Sequence, residues 1–383
     1  MTRITVNRNI LLWARERSGL SEEALERRFP KLHQWLEGSV QPTMRQIEQF
    51  ARKTRTPVGY FFLSEPPEEK LPIPHFRTID DRPAQSPTPE LLDTVYTMQQ
   101  RQAWMREFLI EQGQSPLPFY GSASRDDDPG NIANDIKRVL ELGNEWAAQH
   151  STWENALRHL RTVIEESGIL VVANGIVGNN THRKLNVREF RGFVLADDYA
   201  PLIFVNASDS KAAQMFTLAH EIAHIWFGSS AAFDLRQLQP ANDPTEQVCN
   251  KVAAEFLVPA EQMREAWQSA RSEDEPFQII ARRFKVSALV AARRALDLAL
   301  IGRDEFFEFY REYINDERRT PRISDGGDFY ASQNLRVGRR FADAVIRAVK
   351  ESRLSYYDAY KLTGLYGKTF DQYIQKLYSE SPE

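Results

Sequence analysis

The stretch FTLAHEIAHIWFG, residues 216–228, constrains the fold more than any other part of the chain. Its Phe, Leu, Ile, Ala and Trp content reads as a buried helix, yet two histidines and a glutamate sit in its middle. At about 100° per residue, His220 and His224 fall one turn apart on the same face, so two imidazoles project side by side. Glu221 stands about a quarter-turn away from His220. Polar groups so enclosed by apolar ones need partners, because each one buried unpaired costs on the order of 1 to 3 kcal/mol. Another segment of the chain, or a metal, must answer them.

Cysteine cannot supply the answer. The chain holds one, Cys249, which excludes an intrachain disulfide and any cysteine-built zinc knuckle. A metal must therefore be held by His and carboxylates. His-Glu-x-x-His on a helix suits this, since two ring nitrogens can share one zinc ion while the glutamate acts on a zinc-bound water. As a bare string it is only moderately specific, so a third ligand is expected downstream. Glu246 and Glu255 are the candidates, both in TEQVCNKVAAEFLVP, residues 245–259, which reads as a helix ending before Pro259. Nine positions separate them, roughly 180° of rotation, so they cannot face one ion together. Glu246 shares its side with the small and polar residues Cys249, Asn250 and Ala253, a face suited to meeting another helix closely, whereas Glu255 points away. The third ligand is thus read as Glu246, with Asn250 one turn later holding a ligand histidine in its tautomer. Three protein ligands leave a tetrahedral site open for water, whose proton Glu221 can take and pass to a leaving amine. Tyr199, His182 and Arg191 are candidates for stabilising the oxyanion.

With 383 residues, 42% hydrophobic and 27% charged, the chain is long enough for two or three ordinary folded domains. It shows neither a membrane-length apolar run nor a signal-peptide hydrophobic region, so a cytoplasmic location without membrane contact is expected. The net charge of −4 is uneven. Residues 1–63 hold 11 Lys/Arg and 6 Asp/Glu, which makes a basic head on an acidic body. That head reads as short helices: residues 9–17, a second capped by Ser21, a brief third at 32–36, and a fourth opened by a Thr43–Gln46 capping box. The order resembles the helix-turn-helix domains of phage-repressor type. Pro30 and a shortened connection truncate the helix that would read bases; Arg27, Arg28, Lys31, His33 and Gln34 are the groove-facing candidates for DNA.

Residues 64–90 are rich in proline and charge and read as a linker. A helical connector occupies 91–128, with a helix over 91–112, and the core follows at 129–275, beginning with a helix over 132–142. Within that core, ALRHLRTVIEESG is a helix closed by Gly168 and ILVVAN a buried strand; FRGFVLADD and APLIFVNA form an antiparallel hairpin before the motif helix. The hairpin offers an edge on which an extended peptide can pair. Residues 276–312 contain a second helix-turn-helix-like element, with Ser287 opening its second helix and Arg293 and Arg294 on the outside. Residues 313–383 are a helical region turned at Gly326 and Gly327, where Arg336, Arg339 and Arg340 are candidates for lining a groove. The expected class is α+β and mostly helical, a zincin-like metallopeptidase core between an N-terminal helix-turn-helix bundle and a C-terminal helical region.

Together, FRGFVLADDYAPLIFVNASDSKAAQMFTLAHEIAHIWFG and EQVCNKVAAEFLVP resemble the ImmA/IrrE metallopeptidases over roughly residues 130–300. The resemblance implies a zinc endopeptidase, with one Zn2+ per chain on His220, His224 and Glu246 and Glu221 as base, that cuts a partner transcriptional repressor in a stress response. The donors suit zinc and also manganese. A different class of function, a DNA-binding regulator or antitoxin-like partner with a secondary peptidase site, is the alternative. Oligomerisation is left open.

Overall fold

The computed structural model describes residues 3–69, 87–229, 231–233, 243–315 and 329–379. The chain divides into two compact units, the first ending at Tyr96 and the second running from Thr97.

In the first unit, α1 (Arg8–Arg17), α2 (Glu22–Arg28), α3 (Leu32–Leu36) and α4 (Met44–Thr54) enclose a small core. Ile10, Leu25, Trp35, Ile47, Phe50 and Phe61 fill it, with Trp35, Phe29 and Phe61 each set edge-on to Phe50. Ser21 and Thr43 cap α2 and α4 as their sequences require, and the Thr43–Gln46 box is formed. With five residues, α3 is a single turn and a fraction. Arg27, Arg28, Lys31, His33 and Gln34 are all exposed.

Helix α5 (Pro89–Glu111) begins in the first unit and ends in the second. The second unit continues with α6 (Pro129–Val139) and α7 (Trp153–Glu166). A four-stranded mixed sheet follows, built from β1 (Leu170–Asn174), β4 (Gly192–Leu195), β5 (Leu202–Asn206) and β6 (Ala231–Phe233) in the order β1-β5-β4-β6. The strands β2 (Ile176–Val177) and β3 (Asn180–Lys184) form a separate ribbon that the sequence reading lacked. The expected hairpin is present: β4 pairs antiparallel to β5 from Gly192↔Val205 to Leu195↔Leu202. The outer edge of β4 is not open to a peptide. Gly192, Phe193 and Val194 pair there with Phe233, Ala232 and Ala231 of β6, so the backbone groups expected to recruit substrate bind the chain's own strand.

Both faces of β1, β4 and β5 are buried, and residues alternate between them with the strand period of two. Val171, Ala173, Val194, Ile203 and Val205 join the main core with α7, the motif helix α8 (Lys211–Trp226) and α9 (Pro244–Leu257). On the opposite face Phe193 stacks on Phe204, ring centroids 5.0 Å apart. The core extends into α10 (Ala260–Ala270), α11 (Pro276–Phe284), α12 (Ala288–Asp297) and α13 (Arg303–Asn315). Ser287 caps α12, as its sequence predicts. Arg294, expected outside, is instead buried: it donates to the Val258 carbonyl at 2.9 Å and pairs with Glu255. Four alanines of α12 are buried with it, so this helix packs as a cap over the core.

The C-terminal region forms α14 (Phe329–Val337), α15 (Arg339–Lys350), α16 (Tyr356–Thr363) and α17 (Lys368–Ser379). The turn assigned to Gly326 and Gly327 lies outside the described residues. Two polar joints tie this region to the rest of the second unit. The buried guanidinium of Arg101 on α5 donates to the carbonyls of Arg336 and Leu362, both at 2.8 Å, and of Thr363 at 3.4 Å. These carbonyls sit in the last turns of α14 and α16, where no further helical amide can reach them. Burial pulls this guanidinium down to about 10, which leaves it charged at neutral pH. At the second joint, Glu165 of α7 accepts the Arg340 amide at 3.1 Å, supplying the cap that Gly338 lacks at the start of α15. The result is an α+β, mostly helical molecule whose small sheet backs one histidine-bearing helix.

Candidate metal centre

Helix α8 begins where Ser210 caps the Ala213 amide and stops at Gly228, whose φ is +63°. Thirteen of its sixteen residues are buried, so its polar groups must be met by neighbouring elements. Helix α9 meets them. Its N-terminus is fixed by the Asp243 cap and by Pro244 in the first turn, which sets Glu246 in that same turn against α8.

Three donors converge as a result. His220 Nε2 lies 3.1 Å from Glu246 Oε2, His224 Nε2 lies 3.2 Å from Glu246 Oε1, and the two Nε2 atoms are 3.1 Å apart. Their outer nitrogens are also held. His220 Nδ1 meets Asn250 Oδ1 at 3.1 Å, and because an amide oxygen only accepts, Nδ1 carries the proton and Nε2 offers its lone pair inward. His224 Nδ1 meets Ser229 Oγ at 3.1 Å, a hydroxyl that can accept the ring N–H and so is compatible with the same tautomer. Two inward lone pairs beside a carboxylate repel one another unless a cation lies between them. A tetrahedral ion with ligands at about 2.0 to 2.1 Å spaces them about 3.3 Å apart, close to the separations found. The residues fit a divalent metal.

The fourth polar residue of the motif stands apart from this triad. Both oxygens of the fully buried Glu221 lack a hydrogen-bond partner among the described residues, and so does Thr217 Oγ1 one turn earlier. Burial pushes the Glu221 carboxyl well above the usual carboxylate range, and the charge of Glu246 adds to this. Glu246 behaves oppositely. Burial opposes its ionisation, yet the His220 and His224 rings against its two oxygens outweigh that and hold it well below the ordinary value. Burial, more than any neighbour, also lowers the His220 imidazole, favouring the neutral ring a metal needs. The two carboxyls are therefore pushed apart, Glu246 toward the anion and Glu221 toward the protonated form.

Gly192 makes this packing possible. A Cβ on it would come within 2.5 Å of Thr217 Cγ2, 2.8 Å of the Phe204 carbonyl and 3.5 Å of Glu221 Oε1. Strand β4 lies against α8 closely enough to wall in the glutamate because that residue has no side chain. Ser229 and Gly192 were missed by sequence reasoning; a glycine inside the β-rich run FRGFVL was the available signal for the second, and Ser229 left none.

The other candidates fall elsewhere. Glu255 caps the Ala260 amide at 3.1 Å and pairs with Arg294, away from the three converging donors. Cys249 is buried in the core, and burial first and neighbouring carboxylates second push its thiol up, away from the thiolate form. Arg191 pairs with Asp209 at 3.1 Å, Tyr199 lies under the Arg106 guanidinium at 4.9 Å, and His182 is exposed on β3. Arg336 donates to Asn179 at 3.1 Å, Arg340 is half-buried and Arg339 exposed.

Residues 164–296 match the model of the IrrE N-terminal-like domain, Peptidase_M78. The IrrE-like segment thus spans the sheet, α8 and α9, and it supports a metallopeptidase-type activity for this part of the chain. Residues 337–376 match a domain of unknown function, DUF8813. No curated protein matches the chain. No helix among the described residues is long and apolar enough to cross a membrane.

Proposed function

We propose that the chain is a cytoplasmic zinc-dependent endopeptidase with narrow protein substrates, cleaving a partner transcriptional repressor or regulator. The observation that carries this reading is the convergence of His220, His224 and Glu246 beside a buried carboxyl that no group among the described residues satisfies. These three would hold one zinc ion per chain, which when bound polarises a peptide carbonyl and brings the pKa of water near 7. Glu221 then takes the proton of the attacking water and delivers it to the leaving amine; its raised proton affinity suits an acceptor that must later act as a donor. Asn250 keeps the His220 imidazole in the tautomer that faces the ion, and Ser229 holds the outer nitrogen of His224.

Glu221→Gln tests this assignment. It keeps the size of the side chain and all three ligands, so zinc measured per chain should stay at one, while cleavage of the protein encoded beside this gene should fall by ~100-fold or more. Cleavage at the unaltered rate removes Glu221 from the chemistry.

The exposure of Arg27, Arg28, Lys31, His33 and Gln34 favours a second reading, in which the first unit binds DNA and the chain acts as a regulator or antitoxin-like partner. Charge-reversed Arg27 and Arg28 should then weaken DNA binding without changing the zinc content.

A further inference from the structure

Three helices of this chain are candidates for insertion into a nucleic-acid groove, and their surroundings differ. Helix α3 has five residues, and α12 is buried along most of its length with its Arg294 turned inward. Helix α17 has twelve residues and an uncovered polar side.

Its setting is built from α15 and α16. Ser355 caps α16 at the Asp358 amide, and Gly364 ends that helix with φ +73°, a left-handed turn that glycine adopts without strain. Residues 364–367 complete a four-residue turn before Lys368 starts α17. Leu365 in the turn and Phe370, Tyr373 and Leu377 on α17 are buried. Phe370 lies 5.4 Å from the Tyr360 ring and 6.3 Å from Tyr356, locking α17 onto α16. Phe341 and Val345 of α15, the helix that packs against α16, are buried as well. Two helices joined by a short glycine turn and braced by a third form the helix-turn-helix arrangement.

On the other side of α17, Lys368, Asp371, Gln372 and Gln375 are exposed along one face at successive helical spacings. These side chains match base edges: lysine to guanine, glutamine to adenine, aspartate to the amino group of cytosine. Charge agrees. Residues 339–379 carry eight Lys/Arg and four Asp/Glu, a surplus of four in a chain of net −4, so the remainder is at −8. Lys361 and Lys350 are exposed, resting over Tyr357 and Tyr378 at 4.2 and 4.1 Å, and they can reach phosphates.

We propose that α15, α16 and α17 form a module that binds duplex DNA, with α17 in the major groove. The occupant is DNA and not RNA because the B-form major groove, about 12 Å wide, admits a helix, whereas that of an A-form duplex is too narrow. This stands independently of the peptidase reading.

Full-length protein carrying Glu221→Gln, with its zinc content checked, is titrated against a labelled duplex pool with a randomised centre. Affinity should fall at least tenfold between ~50 and ~200 mM salt. Lys368→Glu should lower it roughly tenfold, and the double change Gln372→Ala with Gln375→Ala should erase most of the preference for selected over random duplexes while keeping the salt dependence. All these positions are exposed, so an unchanged melting temperature is expected and verifies folding. Absence of duplex binding at low salt overturns the proposal. So does unaltered binding by the α17 variants, including the case in which Arg27→Ala with Arg28→Ala alone abolishes it, or better competition by single strands or RNA.

Discussion

Asn250 shows how much of the candidate centre rests on groups that never touch the ion. Its amide oxygen fixes the proton of His220 at Nδ1, 3.1 Å away, and so aims the other nitrogen inward. Asn250→Ala leaves the three ligands in place but frees the ring to choose its tautomer and rotate. Zinc affinity, measured by competition with a chromophoric chelator, should drop 10- to 100-fold, with Glu221 unaffected. An unchanged affinity would show that the packing of α8 against α9 alone orients His220. The ligands and Asn250 were legible because all four lie on helices, where spacing of three or four residues states which groups share a side. Gly192 and Ser229 were not legible as site residues, since what they touch is decided by how β4 and the end of α8 fold back.

The same distinction holds for whole elements. Caps at Ser21, Thr43 and Ser287 and the β4–β5 hairpin follow from local patterns, and the structure forms each of them. Strand β6, three residues on the outer edge of β4, has no local signature, and it changes which backbone a peptide could pair with. Arg294 looked external by charge alone; only the position of Glu255 and the Val258 carbonyl explains its burial. The α7–α15 joint is equally non-local, because Glu165 caps a helix that starts 175 residues later. Burial there raises its carboxyl to about 7 against the opposing pull of the Arg340 and Arg339 amides. A carboxyl whose folded value exceeds its unfolded one binds its proton more tightly when folded. Its contribution is therefore complete below the unfolded value and is lost as pH rises through about 7. Glu165→Gln keeps an accepting oxygen without the titration. The variant and the parent should have similar melting temperatures at pH 5, and the variant should be more stable at pH 8 by at most ~3 kcal/mol. A parallel pH dependence of the two proteins would contradict the assignment.

At the scale of the molecule, the candidate metal centre ties α8 to α9 in the middle of the second unit's core, so removing a bound ion should loosen that unit and spare the first. Thermal unfolding with excess chelator should shift the transition of the second unit downward, and added zinc should restore it. Binding at 1,000 times the dissociation constant is worth about 4 kcal/mol. A chelator-insensitive transition would argue that no ion contributes to the fold. The Arg101 joint bears on how the molecule is made. Its guanidinium waits for carbonyls 235 and 262 residues further along, so at a synthesis rate of ~5 to ~20 residues per second it has no acceptors for on the order of 10 to 50 s. Until then α5 carries a cation that cannot be sheltered, and its seat closes only when nearly the whole polypeptide has left the ribosome. Chains that stop short of α16 lack two of its three acceptors, the Leu362 and Thr363 carbonyls, and keep only that of Arg336.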